Sequence, residues 1–306
     1  MTIQDAHTHF FSRPFFEALA GQSPLPGSVD ERLDAVASKA GLSLPDADVE
    51  AHTARWLAEM DRHDVTRMVS FASLPQEADA VAAGARASGG RLLPYTLVNP
   101  AMEQAPAFTA KCLGELGFRG LLLFPAMHHV AADDPRCNAI YELAAQHEAP
   151  VIVHTGILQV KLRDLLGLPR PFDLSFAHPL SLVPAANRHP KVRFVLPHFG
   201  GGFFQEALMT AVQCENVLFD TSSSNAWMAT DPSGLTLERV FAAALNVAGA
   251  QRILFGTDSC TFPRGYRADV RDAQLAAMEA AGADSTTVDA IMGGNLAALL
   301  PERSNH

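Results

Sequence analysis

Ile3-Gln4-Asp5-Ala6-His7-Thr8-His9 is a seven-residue run near the start of the chain that carries two imidazoles two residues apart. Read as a β-strand, it turns residues i and i+2 to the same face, so His7 and His9 project together, as two nitrogen donors to one metal ion must. A helix would send them to different sides. An HxH pair on its own equally describes two polar residues at a frayed terminus. Its meaning depends on what the later strands carry.

Outward from this run the chain alternates. Phe10 to Asp46 has no clean period, with Phe10, Phe11, Phe15 and Phe16 around Arg13 and a turn-rich Ser23-Pro24-Leu25-Pro26-Gly27; a connection this long in a compact domain is usually functional. A helix opened by Asp48 then leads to the apolar run Thr66–Ala72. Helical patterns over 76–88, 105–116, 136–147, a stretch ending near His189, 203–214 and 235–247 alternate with apolar runs at 92–98, 118–124, 151–155, 192–196, 217–220 and 253–258. Two helices, near 268–279 and 287–300, close the chain. Continuous apolar strands alternating with helices indicate parallel sheet covered on both faces. Eight such units in 306 residues predict a single (β/α)₈ TIM-type barrel spanning residues 1–306, distorted by the long first loop and finished by C-terminal helices. A doubly wound open sheet is the runner-up, but no Gly-rich phosphate fingerprint follows the first strand. No linker, repeat or low-complexity tract divides the chain.

Composition narrows the class. A 48% hydrophobic content supports a full core, and a formal charge of −10 argues against nucleic acid or an acidic membrane surface as partner. Cys112, Cys137, Cys214 and Cys260 form no CxxC pair and fall in or beside regular elements, as reduced, buried thiols do. No leader pattern opens the chain, and no stretch approaches the ~18–20 apolar residues of a membrane span. A soluble, cytoplasmic protein is expected.

In a barrel of this kind the active site lies at the C-terminal ends of the strands. His7 and His9 end the first strand, His154 the fifth, His198 the sixth and Asp258 the eighth. Each has an ordinary reading: a satisfied core histidine, a turn residue before Gly200-Gly201-Gly202, a helix N-cap. Five on one rim are better read as a site. Three imidazoles and a carboxylate with a position left for water suit one divalent first-row ion, zinc first and manganese second. Such an ion lowers the pKa of bound water to ~7. His198 is the candidate to shuttle the proton, since imidazole titrates in the right range; Asp258 could bind the metal and also accept a proton.

These residues carry a family resemblance. Asp5-Ala6-His7-Thr8-His9, Val153-His154-Thr155-Gly156, Pro197-His198-Phe199-Gly200-Gly201, Gly256-Thr257-Asp258 and the closing Gly293-Gly294-Asn295-Leu296 resemble, in order and over nearly the whole chain, the amidohydrolase superfamily, and within it the amidohydrolase-2 group similar to aminocarboxymuconate-semialdehyde decarboxylase. The resemblance implies a distorted barrel with metal held by His7, His9, His154 and Asp258, and His198 as acid/base residue beside it. It implies a hydrolase or decarboxylase of small carboxylated, often aromatic or dienoic, acids, and a homodimer. Binuclear members carry a bridging Lys or Glu at the end of strand four; here Leu122-Leu123-Phe124-Pro125 offers neither, so one metal is expected.

A carboxylated substrate calls for a cation. Arg13 is the first candidate, with Lys161, Arg163 and Arg170 as alternatives, each of which is equally a solvated surface charge. The phenylalanines around Arg13 could line an apolar pocket or pack the loop. His128, His129 and His178 follow strands four and five and could reach it; Cys260 reads as packing. The alternative from another class is a non-catalytic barrel whose metal serves structure or sensing, but structural zinc sites are closed and Cys-rich. A phosphate-binding barrel enzyme would want Gly-rich turns after strands seven and eight, where Thr221-Ser222-Ser223-Ser224-Asn225-Ala226-Trp227 stands instead.

Overall fold

The computed structural model describes residues 1–222 and 227–301, so Ser223 to Ala226 of the loop after the seventh strand lie outside the described residues. Eight strands, β1 Ile3–His9, β2 Val65–Ala72, β3 Leu92–Leu97, β4 Gly120–Leu123, β5 Val151–Val153, β6 Phe194–Leu196, β7 Val217–Asp220 and β8 Ile253–Leu254, pair in sequence order, and every ladder is parallel. The last strand is shorter than its apolar run suggests because the chain leaves the β7 ladder after Leu254 and turns to β1. Ala6 N donates to Phe255 O (2.7 Å), Asp258 N to His7 O (2.8 Å) and His9 N to Ser259 O (2.8 Å). Those three bonds close the barrel.

The helices are α1 Arg13–Gln22, α2 Val29–Ala40, α3 Val49–Arg62, α4 Ala78–Ala87, α5 Ala105–Gly114, α6 Pro125–His128, α7 Asn138–Gln146, α8 Lys161–Leu165, α9 Leu182–Arg188, α10 Phe204–Gln213, α11 Leu237–Ala248, α12 Ala268–Ala280, α13 Ser285–Asp289 and α14 Asn295–Leu299. Alternation along the strands sorts their side chains into two layers. Met68, Leu121, Leu123, Val151, Val153, Phe194 and Phe219 join the layer between sheet and helices. Val69, Phe71, Leu93, Tyr95, Leu122, Ile152, Val195, Leu218 and Leu254 fill the barrel interior. Leu296 and Leu300 join that interior cluster.

β1 departs from strict alternation. Asp5 pairs with Met68 but Thr8 with Ser70, so three steps along β1 match two along β2: a bulge of one residue. Before it, Asp5 shares the outward face of Met68. After it, His9 stands opposite inward-facing Phe71, and His7 follows inward-facing Ala6 into the same chamber. The i, i+2 reading of the two histidines survives, and the bulge is what aims them inward.

The structure corrects the reading of residues 10–46 as irregular. α1 and α2 form there, with a Ser28/Glu31 capping box and a left-handed Gly41 cap defining α2. Their periodicity was obscured because they bury a small face of their own: Phe15, Phe16, Leu19, Leu33 and Val36 pack with Leu166 and Leu168, which flank the end of α8 beyond β5. The two loops thus share one hydrophobic cluster, a cap. The expected terminal helix near 287–300 is broken, with a wide turn at Ala290–Gly294 between α13 and α14. The break lets Asn295 Nδ2 donate to Ala250 O (2.8 Å) and Ile253 O (2.7 Å), anchoring the start of β8. Asn295→Ala should leave two carbonyls without this donor and cost about 2 kcal/mol, seen as a lower denaturant midpoint at unchanged slope.

Candidate active site

His7, His9, His154, His198 and Asp258, expected from sequence at strand ends, meet in one chamber at the C-terminal end of the barrel. The His7 and His198 ring centroids are 4.8 Å apart, His154 and His198 5.2 Å, and His7 and His9 5.7 Å. Asp258 Oδ1 lies 3.3 Å from His9 Nε2 and 3.8 Å from His7 Nε2. Ligand atoms of His7, His198 and Asp258 all lie within 4.8 Å of one another. His198 is thus as close to the centre as the residues expected to hold the ion.

Second partners fix how the rings face. His7 Nδ1 is 2.6 Å from Asp220 Oδ2, with both groups buried. His9 Nδ1 and Ser73 Oγ share a hydrogen bond of 2.8 Å. His198 Nδ1 donates to Ser222 O at 2.8 Å. Each Nδ1 is therefore occupied, which leaves the Nε2 atoms as the ones available to the chamber, those of His9 and His7 already beside Asp258. His154 differs: its Nδ1 is buried with no hydrogen-bond partner among the described residues. Its ring nonetheless lies against that of His198, and the all-N/O donor set gathered here suits a divalent first-row ion.

Charge confirms the polarisation. Burial alone would lower the His7 pKa, but the Asp220 carboxylate against it, with help from Asp258 and Asp5, pushes it up to about 9. Burial would raise Asp258, yet the His9 hydrogen bond and the charges of His7 and His9 hold it far below the usual carboxylate range. Burial, then the nearness of His198 and His7, drives His154 well below 6.5. Burial, then His7, lowers His198 as well.

The backbone at the rim is strained at two of the residues gathered in the chamber. His198 (φ 56°), Phe199 (φ 50°) and Asp258 (φ 59°) occupy the left-handed region without being glycine. Gly156 and Gly201 allow the loops after β5 and β6 to touch, since a Cβ at Gly156 would sit 2.0 Å from Gly201 O. Asp5 braces Asp258 from behind: its carboxylate accepts from His7 N (2.9 Å), Thr257 N (3.2 Å) and Thr257 Oγ1 (2.5 Å).

Two residues escaped the sequence reading. Asp220 holds His7 through Oδ2 and takes Ser222 N (2.8 Å) and Ser222 Oγ on Oδ1. Ser222 passes its carbonyl to His198. One turn after β7 therefore orients both the His7 and the His198 imidazole. The signal was present: Asp220 ends a strand, the criterion that selected Asp258.

The walls are apolar. Phe71 meets the His7 and His9 rings at 4.7 and 5.0 Å, Phe11 stacks on His9 at 4.7 Å, and Phe124 lies 4.9 Å from His154. The cations expected from sequence stand in α1, in α8 and just beyond α8. Arg13 opens α1, its Nε 2.9 Å from Glu17 and Nη2 3.0 Å from Asp30. Lys161 is exposed at the start of α8 and Arg163 half-buried, with Nη2 3.3 Å from Pro169 O. Arg170 pairs with Asp164 at 2.5 Å. His129 binds Pro171 O at 2.5 Å, His178 accepts from Leu180 N at 3.3 Å, and His128 Nδ1 is buried without a partner among the described residues. Among the described cysteines all four are free, three of them buried. No described helix is long and apolar enough to cross a membrane.

The amidohydrolase family model matches residues 4–301. No curated protein sequence matches the chain. Among solved structures, 5-carboxyvanillate decarboxylase from Sphingomonas paucimobilis superimposes with a TM-score of 0.67 at 14% identity, covering 98% of this chain and 99% of that one. The 5-carboxyvanillate decarboxylase of Novosphingobium aromaticivorans, with bound manganese and 3-methoxy-4-hydroxy-5-nitrobenzoic acid, gives 0.63 at 15% identity and 98% and 97% coverage. A probable 2-pyrone-4,6-dicarboxylic acid hydrolase from Acinetobacter baumannii, with citric acid bound, gives 0.59 at 15% identity, covering 99% and 100%.

Proposed function

Because this chain belongs to the amidohydrolase family, we propose that it is a mononuclear metal-dependent enzyme acting on a small carboxylated aromatic or dienoic acid, by decarboxylation or by hydrolysis. The observation that supports this reading above the others is the convergence of four imidazoles and one carboxylate at the C-terminal mouth, three of the rings held by Nδ1. His7, His9, His154 and Asp258 would hold the ion, zinc first, with manganese supported by its presence in a similar structure. The ion would supply Lewis-acid polarisation and an acidified water.

The residues supply the rest. His198, its Nδ1–H committed to Ser222 O, offers an Nε2 lone pair that takes a proton and returns it at one fixed point. In decarboxylation that proton goes to the carbon bearing the carboxylate; the C–C bond breaks, its electron pair stays with the ring, and CO₂ leaves. In hydrolysis the same nitrogen takes a proton from water and passes it to the leaving group. Phe11, Phe71 and Phe124, packed on the imidazoles, give the chamber walls suited to a planar ring. This favours the carboxylated aromatic class. The absence of cysteine from the donor set speaks against a purely structural site.

Elemental analysis of protein purified without added metal tests the reading. About one equivalent of zinc or manganese is expected in wild type and none in His7→Ala. Screening carboxylated aromatic and dienoic acids for CO₂ release, against lactones and esters for hydrolysis, then separates the two chemistries. Wild-type protein that holds no metal and takes none up on addition would overturn the proposal.

A further inference from the structure

Glu77 stands outside the site, yet its carboxylate gathers the two loops that touch His9. It is completely buried, in the turn before α4. Oε1 accepts from Ser12 N (2.5 Å) and Ser12 Oγ (3.0 Å), in the loop after β1. Oε2 accepts from Ser73 N (2.8 Å), in the loop after β2. Each loop then presents one group to the same imidazole. Ser73 Oγ bonds His9 Nδ1 at 2.8 Å, and Phe11, immediately before Ser12 and strained at φ 40°, stacks on the ring at 4.7 Å with an interplanar angle of 23°.

We propose that Glu77 is a positioning residue for His9: by tying Ser12 to Ser73 it clamps the ring between the Ser73 hydroxyl and the Phe11 face. A carboxylate is required because three donors converge on two oxygens. A glutamine there would turn its NH₂ toward one of the N–H groups and lose that side of the clamp. The left-handed Phe11 backbone persists only if neighbouring bonds hold it, and Ser12 is the adjoining anchor. The consequence for metal binding rests on His9 being a ligand, as proposed above; the clamp itself does not.

The test is carbethoxylation of the metal-free protein by diethylpyrocarbonate, with each histidine followed by peptide mass spectrometry. In Glu77→Gln the His9 rate is expected to rise at least about 10-fold while His7, His154 and His198 stay slow, because their own partners are untouched. Ser73→Ala, which keeps the carboxylate, should raise His9 alone as well. A uniform rise of all four in Glu77→Gln, or no change at His9, overturns the proposal. Should Glu77→Gln not fold, an unchanged His9 rate in Ser73→Ala overturns it and a selective rise supports it. Chelator competition adds the functional readout: metal affinity should fall about 10–100-fold in Glu77→Gln. Wild type that binds no metal would sink the metal-enzyme reading, while the reactivity of His9 still judges the clamp.

Discussion

Replacing His198 with alanine is expected to leave about one equivalent of metal in place and to lower turnover by roughly 10²–10⁴-fold. The ring sits among the proposed ligands, and its donor atom clusters with those of His7 and Asp258 within 4.8 Å, so proximity alone allows either role. Its partners separate the two. Its Nδ1–H is committed to the Ser222 carbonyl, and its backbone is held left-handed at φ 56°, which fixes a lone pair at a single point facing the chamber. That is what a proton carrier needs. If the ring is instead a ligand, the alanine variant will lose metal together with activity. Metal analysis beside kcat therefore decides the role, and an active, metal-loaded variant would remove His198 from the chemistry altogether.

Asp220→Asn should weaken metal binding by about 10–100-fold and destabilise the metal-free protein by about 3 kcal/mol. The change is nearly isosteric, so packing is kept. What is lost is the charge 2.6 Å from His7 Nδ1, which raises His7 to about 9 against the effect of burial. An asparagine can also present its NH₂ to Nδ1, stabilising the tautomer whose Nε2 carries hydrogen and cannot bind an ion. The turn to Ser222, which hangs on Oδ1, would loosen at the same time. Isothermal titration with zinc and thermal unfolding of the apo protein check the two halves of this expectation. Unchanged affinity in the variant would show that His7 is oriented without Asp220.

The barrel was legible because its strands are buried on both faces and read as apolar runs with helices between them; the TIM-type architecture with C-terminal helices follows from that pattern and the structure has it. His7, His9, His154, His198 and Asp258 were legible as a set because a parallel barrel brings strand ends together whatever their separation in sequence. Asp220 obeyed the same rule but stood without a second chemical residue type beside it, and was read as the end of a strand. Glu77 was beyond reach, since nothing local marks a helix-start glutamate as buried; only the meeting of two loops buries it. The cap helices were missed because α1 and α2 bury their apolar faces against Leu166 and Leu168, 130 to 153 residues away in sequence, a pairing that no local period records. Of the cations expected at the substrate, Arg13 pairs with Glu17 one turn on in α1, a spacing visible in the sequence, and with Asp30 in α2, which is not.

The bulge in β1 separates two kinds of information that most strands carry together. Pairing with β2 shifts register between Ile3 and Gln4 and again between Asp5 and Thr8, so the two ends of the strand keep different counts. By alternation alone His7 and His9 would share the outward face of Asp5, so the one extra residue is what puts both donors on the chamber side. Register, and not residue identity alone, thus decides whether this pair of imidazoles faces the chamber or the helices.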